Sequence, residues 1–268
     1  RALSASAYFT RLGQRLITAI SAQTGEGQLY EVDMRLRPMG DDGPIASEVS
    51  GVERYYTRDA WTWELMALTR ARVVRAPQGL KERLQALFKD ALARPRDAGQ
   101  LVADIAAMRR RVAAEHGTDD PWAIKFVRGG LFDVEFIAQY LQLRDAATHP
   151  DVLDTNTIQA LEKLTAADRL DQAQADHLIA AARLYHNLQA VTRLGLSERF
   201  DEDTLPDGLR QVLVKAGGAV DFAALNTKLL DAQGRTRALF DALIERPAAA
   251  HARLHPNEDE STRHGEDT

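Results

Sequence analysis

The residues best suited to chemistry in this 268-residue chain form one short block in which charged and apolar side chains alternate, Glu31-Val32-Asp33-Met34-Arg35-Leu36-Arg37-Pro38. If the block is a strand, every second side chain lies on the same face, so its acids and arginines share one side. A carboxylate beside a second acid and two guanidiniums suits phosphoryl transfer, because the acid can hold Mg²⁺ and the arginines can grip phosphate oxygens. A solvated strand with alternating charges would show the same pattern.

The elements that must position this block are predicted to be a helix before it and a helix after it. Apolar residues recur at helical spacing over 4–22, and alternation over about 28–36 predicts a short strand with its apolar face toward the core. Residues 38–44 form a turn-rich loop whose N–H groups could lie near a phosphate. Ser50 begins a capping box, which predicts a helix running to about Val74.

Beyond Pro77 the pattern is helical throughout. Helices are predicted at about 78–93, 98–115, 130–147, 156–165, 172–194, 206–216 and 222–244. The predicted fold class is therefore α+β and mostly helical. The expected divisions are an α/β portion over 1–76, a helical linker over 77–97, a helical domain over 98–246 and a disordered acidic tail over 247–268.

Composition excludes several classes of protein. No run of about 18 apolar residues is present, so we expect no membrane partner. The net charge of −5 argues against a nucleic-acid partner. The chain has no cysteine and its first residues lack a signal-peptide pattern, which fits a cytoplasmic location. The 7 histidines show no metal-ligand spacing.

Three sequence motifs, called here the first, second and third block in chain order, are more informative than composition. The first runs from Leu29 to Pro38 and continues with Gly40 and Gly43-Pro44. The second is Ala60-Trp61-Thr62-Trp63-Glu64, followed by Ala67-Leu68 and Arg70-Ala71-Arg72-Val73-Val74. The third is Lys125, then Arg128-Gly129-Gly130-Leu131-Phe132-Asp133-Val134-Glu135-Phe136-Ile137-Ala138-Gln139-Tyr140-Leu141. Together these blocks resemble the signature of glutamine synthetase adenylyltransferases.

Members of that family carry two nucleotidyltransferase domains, each followed by helices, and this chain is similar to the carboxy-terminal copy. The resemblance implies a partial polymerase-β-like nucleotidyltransferase domain followed by an all-helical domain. It also implies transfer of AMP from ATP, with Mg²⁺, to a tyrosine of glutamine synthetase. A PII-type signalling protein is the second implied partner.

The resemblance also assigns roles to residues of the first block. Asp33 becomes the third carboxylate of the site, which helps to hold Mg²⁺ and assists deprotonation of the tyrosine hydroxyl. Arg35 and Arg37, with Glu31, become the phosphate-binding residues. The family's Gly-Ser turn and Asp-x-Asp strand do not precede this block, so we expect the chain alone to be incomplete for catalysis.

The third block allows two interpretations. A Gly129-Gly130 pair before a helix can cradle an anion or simply turn the chain. Helical spacing places Asp133 nearly opposite the apolar face and Glu135 at its edge, where Glu135 needs a basic partner. We interpret Arg128, the glycine pair and the two acids as a joint between the two regions. The alternative is that Asp133 or Glu135 senses a nucleotide or a regulator.

A hypothesis of another class also fits the whole chain. It is a non-catalytic helical module that binds glutamine synthetase or a PII-type regulator. Uridylylation of PII is a related enzymatic hypothesis, but the block with Trp61 and Trp63 fits it less well.

Overall fold

The computed structural model describes residues 3–28, 30–195, 200, 202 and 204–255. It divides into two compact units, Arg1–Leu92 and Ala93–Thr268. The prediction of a mostly helical fold is confirmed. Among the described residues, no helix combines the length and the apolarity that crossing a bilayer requires.

The first unit contains four α-helices and one small hairpin among its described residues. Helix α1 spans Ala5–Ile20, and strands β1 (Gln23–Thr24) and β2 (Gly27–Gln28) pair antiparallel. Helices α2 (Val49–Arg58), α3 (Thr62–Leu68) and α4 (Gln78–Leu92) follow. Helix α1 begins at Ser4, whose hydroxyl accepts a hydrogen bond from the N–H of Ala7.

The strand predicted over 28–36 is wrong for its described residues beyond Gln28. Residues 30–34 have no regular secondary structure, and a turn begins at Arg35. The predicted core face is formed only in part: Val32 and Met34 are half-buried, whereas Tyr30 is 68% exposed and Leu36 58% exposed. A strand needs a neighbour to accept and donate its backbone hydrogen bonds, and within the described residues the one ladder is the β1–β2 hairpin.

The single helix predicted from Ser50 to Val74 is two helices. Helix α2 ends at Arg58, and α3 begins at Thr62. The Glu64 carboxylate stabilises the new start, because it accepts the N–H of Trp61 at 2.9 Å.

The second unit is a bundle around one buried helix. Its helices are α5 (Ala98–His116), α6 (Leu131–Asp145), α7 (Thr157–Ala166), α8 (Gln172–Gly195), α9 (Asp207–Gly217), α10 (Phe222–Phe240) and α11 (Arg246–Leu254). Helix α6 packs against α5, α7, α8 and α10. Nearly all of its side chains are buried, as expected for a helix that is apolar on most sides.

A π-helical segment, Asp241–Glu245, joins α10 to α11. It ends two residues before Pro247, which has no N–H to donate to the carbonyl four residues back. A π turn is one way in which a helix accommodates such an interruption.

The observed divisions differ from the predicted ones at two places. Helix α4, predicted as part of the linker over 77–97, lies in the first unit. Residues 247–254, predicted as the start of the disordered tail, form α11, which packs on α5 and buries Ala248. The rest of the predicted tail, 256–268, lies outside the described residues.

Candidate functional site

Asp33 and Arg35 form an ion pair at the surface of the first unit. Arg35 Nε donates to both carboxylate oxygens at 3.1 Å, and Nη2 donates to Oδ2 at 2.8 Å. The main-chain N–H of Arg35 donates to Oδ1 at 2.9 Å. These hydrogen bonds lower the pKa of Asp33 from 3.8 to about 2, so the carboxylate is ionised at neutral pH. The two side chains are 53% and 78% exposed, and an exposed pair of this kind exchanges partners at little cost.

Arg37, two residues later, points into its own loop. Its Nε donates to the carbonyl of Gly43 at 3.0 Å, Nη1 to that of Met34 at 2.8 Å and Nη2 to that of Asp41 at 2.9 Å. Nη1 also lies 3.3 Å from Asp41 Oδ1. The side chain of Arg37 is only 15% exposed. The structure therefore places Arg37 as a clamp on residues 34–43, apart from the exposed pair.

The first block offers limited chemistry for a metal ion. Mg²⁺ is commonly bound by one or two carboxylates and completed by water and phosphate oxygens. Asp33 is one exposed carboxylate, and Glu31 is a second exposed acid near it in the chain. Across the described residues, no group of three or more histidine, aspartate or glutamate side chains could hold a metal ion. Asp33 and Glu31 thus offer two exposed carboxylates, the donor type that Mg²⁺ prefers, but no full set of protein ligands.

The two tryptophans of the second block differ in exposure, with Trp61 just before α3 and Trp63 within it. Trp61 is 55% exposed, whereas Trp63 is half-buried. Glu64 beside them is buried and accepts the hydroxyl of Tyr55 at 2.6 Å. Burial and this neighbouring carboxylate raise the pKa of Tyr55 to about 12.

The third block builds the interior of the second unit. Asp133 and Arg109 are fully buried, and Arg109 Nε donates to Asp133 Oδ1 at 2.5 Å. The other carboxylate oxygen accepts the N–H of Gly129, also at 2.5 Å. The prediction that Asp133 faces away from the core is wrong, because α6 is covered on nearly all sides. A charge can be buried there because its counter-charge is buried with it.

Arg128 extends this network toward the π segment. Its Nη1 lies 3.7 Å from Asp133 Oδ1, and its Nη2 lies 3.4 Å from Asp241 and 3.7 Å from Glu245. Its guanidinium also stacks over the Phe240 ring at 4.8 Å. These contacts are all within the second unit. The predicted joint between the two regions stays a prediction.

Gly129 is where the backbone of the third block approaches α10. Its φ is +82°, and a Cβ there would collide with the carbonyl oxygen of Gln233. Its own carbonyl accepts the hydroxyl of Tyr185 at 2.8 Å, and burial raises the pKa of that hydroxyl. A Cβ at Gly130 would in turn collide with the carbonyl of Ile124. Both glycines therefore serve close packing.

Sequence reasoning missed Arg109, and it predicted Tyr185 to be packed without identifying its hydrogen-bond partner. A usable signal for Arg109 was its place on α5, four residues after Ile105 and seven after Val102, both of which are buried. A basic residue on such an apolar face predicts a buried partner. Tyr185 lies similarly among the buried residues of α8, but nothing local points to its acceptor 56 residues away.

Two family models match the chain. One, described as "Glutamate-ammonia ligase adenylyltransferase", matches residues 1–87, and one described as "GlnD PII-uridylyltransferase" matches residues 100–244. The bifunctional glutamine synthetase adenylyltransferase/adenylyl-removing enzyme of Rhodopseudomonas palustris (strain TIE-1) is 47% identical over 91% of this chain and 25% of that protein. The enzymes of the same name from Bradyrhizobium diazoefficiens and Xanthobacter autotrophicus are 45% and 40% identical over 94% and 92% of the chain, again 25% of each protein.

This chain belongs to the glutamine synthetase adenylyltransferase family. It spans about a quarter of the length of the curated relatives it matches. The adenylyltransferase model ends within α4, the last helix of the first unit, and the PII-uridylyltransferase model lies wholly within the second unit. The family comparison and the structure thus divide this chain in the same region.

Proposed function

We propose that the chain contributes to transfer of AMP from ATP to a tyrosine of glutamine synthetase. The first unit would supply part of the reaction site, and the second unit the helical domain that follows it. One observation carries this proposal: a protein named bifunctional glutamine synthetase adenylyltransferase/adenylyl-removing enzyme is 47% identical over 91% of the chain. The exposed Asp33–Arg35 pair supports it, because it joins a carboxylate and a guanidinium at one accessible place.

In such a transfer the tyrosine oxygen bonds to the α-phosphorus of ATP, pyrophosphate leaves, and the hydroxyl proton passes to solvent. Mg²⁺, when bound, neutralises charge on the phosphate oxygens. We assign Asp33 to holding the metal ion and to assisting deprotonation of the tyrosine hydroxyl, because its exposed carboxylate is accessible to both.

Arg35 would act as the phosphate ligand of the first block. Its guanidinium is exposed and already grips the two oxygens of Asp33 side-on, which is the geometry that two phosphate oxygens also offer. If the Arg35 guanidinium bound a phosphate group in place of Asp33, the Asp33 carboxylate would become available to the metal ion. Glu31, exposed and close in the chain, would add negative charge to the metal side of the site.

The test is Asp33→Asn in a form of the protein extended to the length of its relatives. With glutamine synthetase, Mg²⁺ and α-labelled ATP, we expect AMP transfer to fall by about 100-fold or more. Asp42→Asn is the matched control, since it removes the same charge from an exposed site in the same loop. Circular dichroism should show both variants folded. Near-normal transfer by Asp33→Asn would refute the assignment.

A second candidate function has its own support, the match of a PII-uridylyltransferase family model to residues 100–244. On that hypothesis the second unit binds a PII-type regulator or glutamine synthetase without taking part in chemistry. Calorimetric titration of this chain with each protein tests it. Binding by this chain, with no AMP transfer by the extended form, would favour the module over the enzyme.

A further inference from the structure

The Arg37 side chain makes four hydrogen bonds, and three of its acceptors are backbone carbonyls. Residues 34–43 form three linked turns, with N–H to carbonyl hydrogen bonds from Arg37 to Met34, from Gly40 to Arg37 and from Gly43 to Gly40. The guanidinium bonds the carbonyls of Met34, Asp41 and Gly43. It therefore ties together the beginning and the end of this series of turns.

The loop adopts a conformation that needs such support. Met39 and Gly40 have φ values of +65° and +53°, so two consecutive residues are left-handed. For a residue with a side chain, this region is sterically unfavourable, and such conformations persist where the surroundings fix them. Charge-assisted hydrogen bonds to three carbonyls provide that fixation.

The same contacts leave Arg37 unable to grip a phosphate. An arginine has five N–H donors. The four contacts of the clamp, one from Nε, two from Nη1 and one from Nη2, use four of them. Bidentate phosphate binding needs two donors on one edge, so the clamp would have to open first. By contrast, the Met34 carbonyl that Arg37 holds belongs to the residue between Asp33 and Arg35, so the clamp acts on both.

We propose that Arg37 is a positioning residue of the AMP-transfer site. It holds residues 34–43 so that Asp33 and Arg35 are presented together, and it contacts no phosphate itself. This inference rests on the proposed function above and assigns Arg37 a role different from the phosphate contact that the sequence suggests.

The clamp is tested in this chain by nuclear magnetic resonance of the backbone amides. Arg37→Lys keeps the charge, but one ammonium cannot span three carbonyls. We expect Arg37→Lys and Arg37→Ala to move the amide signals of Gly40 and Gly43. Arg15→Lys, the same exchange at an exposed position of α1, should leave both signals in place. Unmoved glycine signals in both Arg37 variants would overturn the clamp.

The positioning role is tested by kinetics of AMP transfer in the extended protein. Arg37→Lys and Arg37→Ala should lower kcat by about 10- to 100-fold, the scale that a misplacement of about 1 Å produces. The KM for ATP should stay within about twofold, whereas Arg35→Ala should raise it, because a lost phosphate contact weakens binding.

Two results would overturn the inference. One is an Arg37→Lys variant as active as wild type, since a point charge would then suffice. The other is an Arg37→Ala variant whose KM for ATP rises as much as that of Arg35→Ala. If the extended wild-type protein transfers no AMP, the proposed function fails and the positioning role with it, whatever the glycine signals show. Transfer by wild type together with either result above rejects the role of Arg37 alone.

Discussion

Gly129→Ala should destabilise the second unit, because no room exists for a side chain where the third block meets α10. A Cβ there would overlap the backbone carbonyl oxygen of Gln233 and lie 2.7 Å from its carbonyl carbon and 3.0 Å from its Cα. These are backbone atoms in the middle of α10, so no side chain can rotate away to relieve the contact. The φ of +82° adds conformational strain for any residue with a Cβ.

The magnitude follows from these two costs. A left-handed conformation costs a non-glycine residue about 1–2 kcal/mol. Overpacking that forces a backbone shift costs about 1–3 kcal/mol. We therefore expect Gly129→Ala to lower the free energy of unfolding of the second unit by about 2–5 kcal/mol.

The assay is urea unfolding followed by fluorescence of Trp122, in a background where Trp61 and Trp63 are phenylalanine. Trp122 is buried between two stacked phenylalanine rings of the second unit, so it reports on that unit. Gly234→Ala is the matched control, since it lies in α10 with nothing within 4 Å of its Cβ position. It should stabilise the unit by up to about 1 kcal/mol. A Gly129→Ala variant within about 0.5 kcal/mol of wild type would refute the close approach.

Two further predictions concern buried and half-buried charges. Asp133→Asn should lower the free energy of unfolding by about 3–5 kcal/mol in the same urea assay, because it leaves Arg109 buried without its counter-charge. Replacing both residues together, as Arg109→Met with Asp133→Leu, should lower the free energy of unfolding less than Asp133→Asn does. A larger loss in the double variant than in Asp133→Asn would contradict the ion pair. Tyr55 should titrate near pH 12 in ultraviolet absorbance, measured as wild type minus Tyr55→Phe. The pKa of Tyr55 in the folded protein lies above the ordinary 10.0, so the contribution of Tyr55 to stability is complete below pH 10 and is lost as the pH rises through 12. A titration midpoint of Tyr55 at pH 10 would contradict its partly buried environment.

The helices of the second unit could be predicted from sequence because their signals are local. Helix α5, predicted over 98–115, spans Ala98–His116, and its ends coincide with a capping side chain at Asp97 and a glycine at Gly117. The strand over 28–36 could not be predicted reliably, since alternation is local but pairing depends on a neighbour elsewhere in the chain.

In the candidate site, the Asp33–Arg35 pair could be predicted from the sequence, whereas the hydrogen bonds of Arg37 to its own loop could not. Alternation placed Asp33 and Arg35 together, and they are together, although through a turn rather than along a strand. The partners of Arg37 are backbone carbonyls, which every residue has, so residue types carry no signal of them. For Asp133 the decisive partner is 24 residues away on another helix, beyond the reach of spacing within one helix.

The central claim, that this chain carries part of an AMP-transfer site, is tested most directly by labelling. Glutamine synthetase, Mg²⁺ and α-labelled ATP are incubated with this chain, and separately with the form extended to the length of its relatives. We predict label on a tyrosine of glutamine synthetase with the extended form, and none with this chain alone. An extended form that leaves glutamine synthetase unlabelled would contradict the claim.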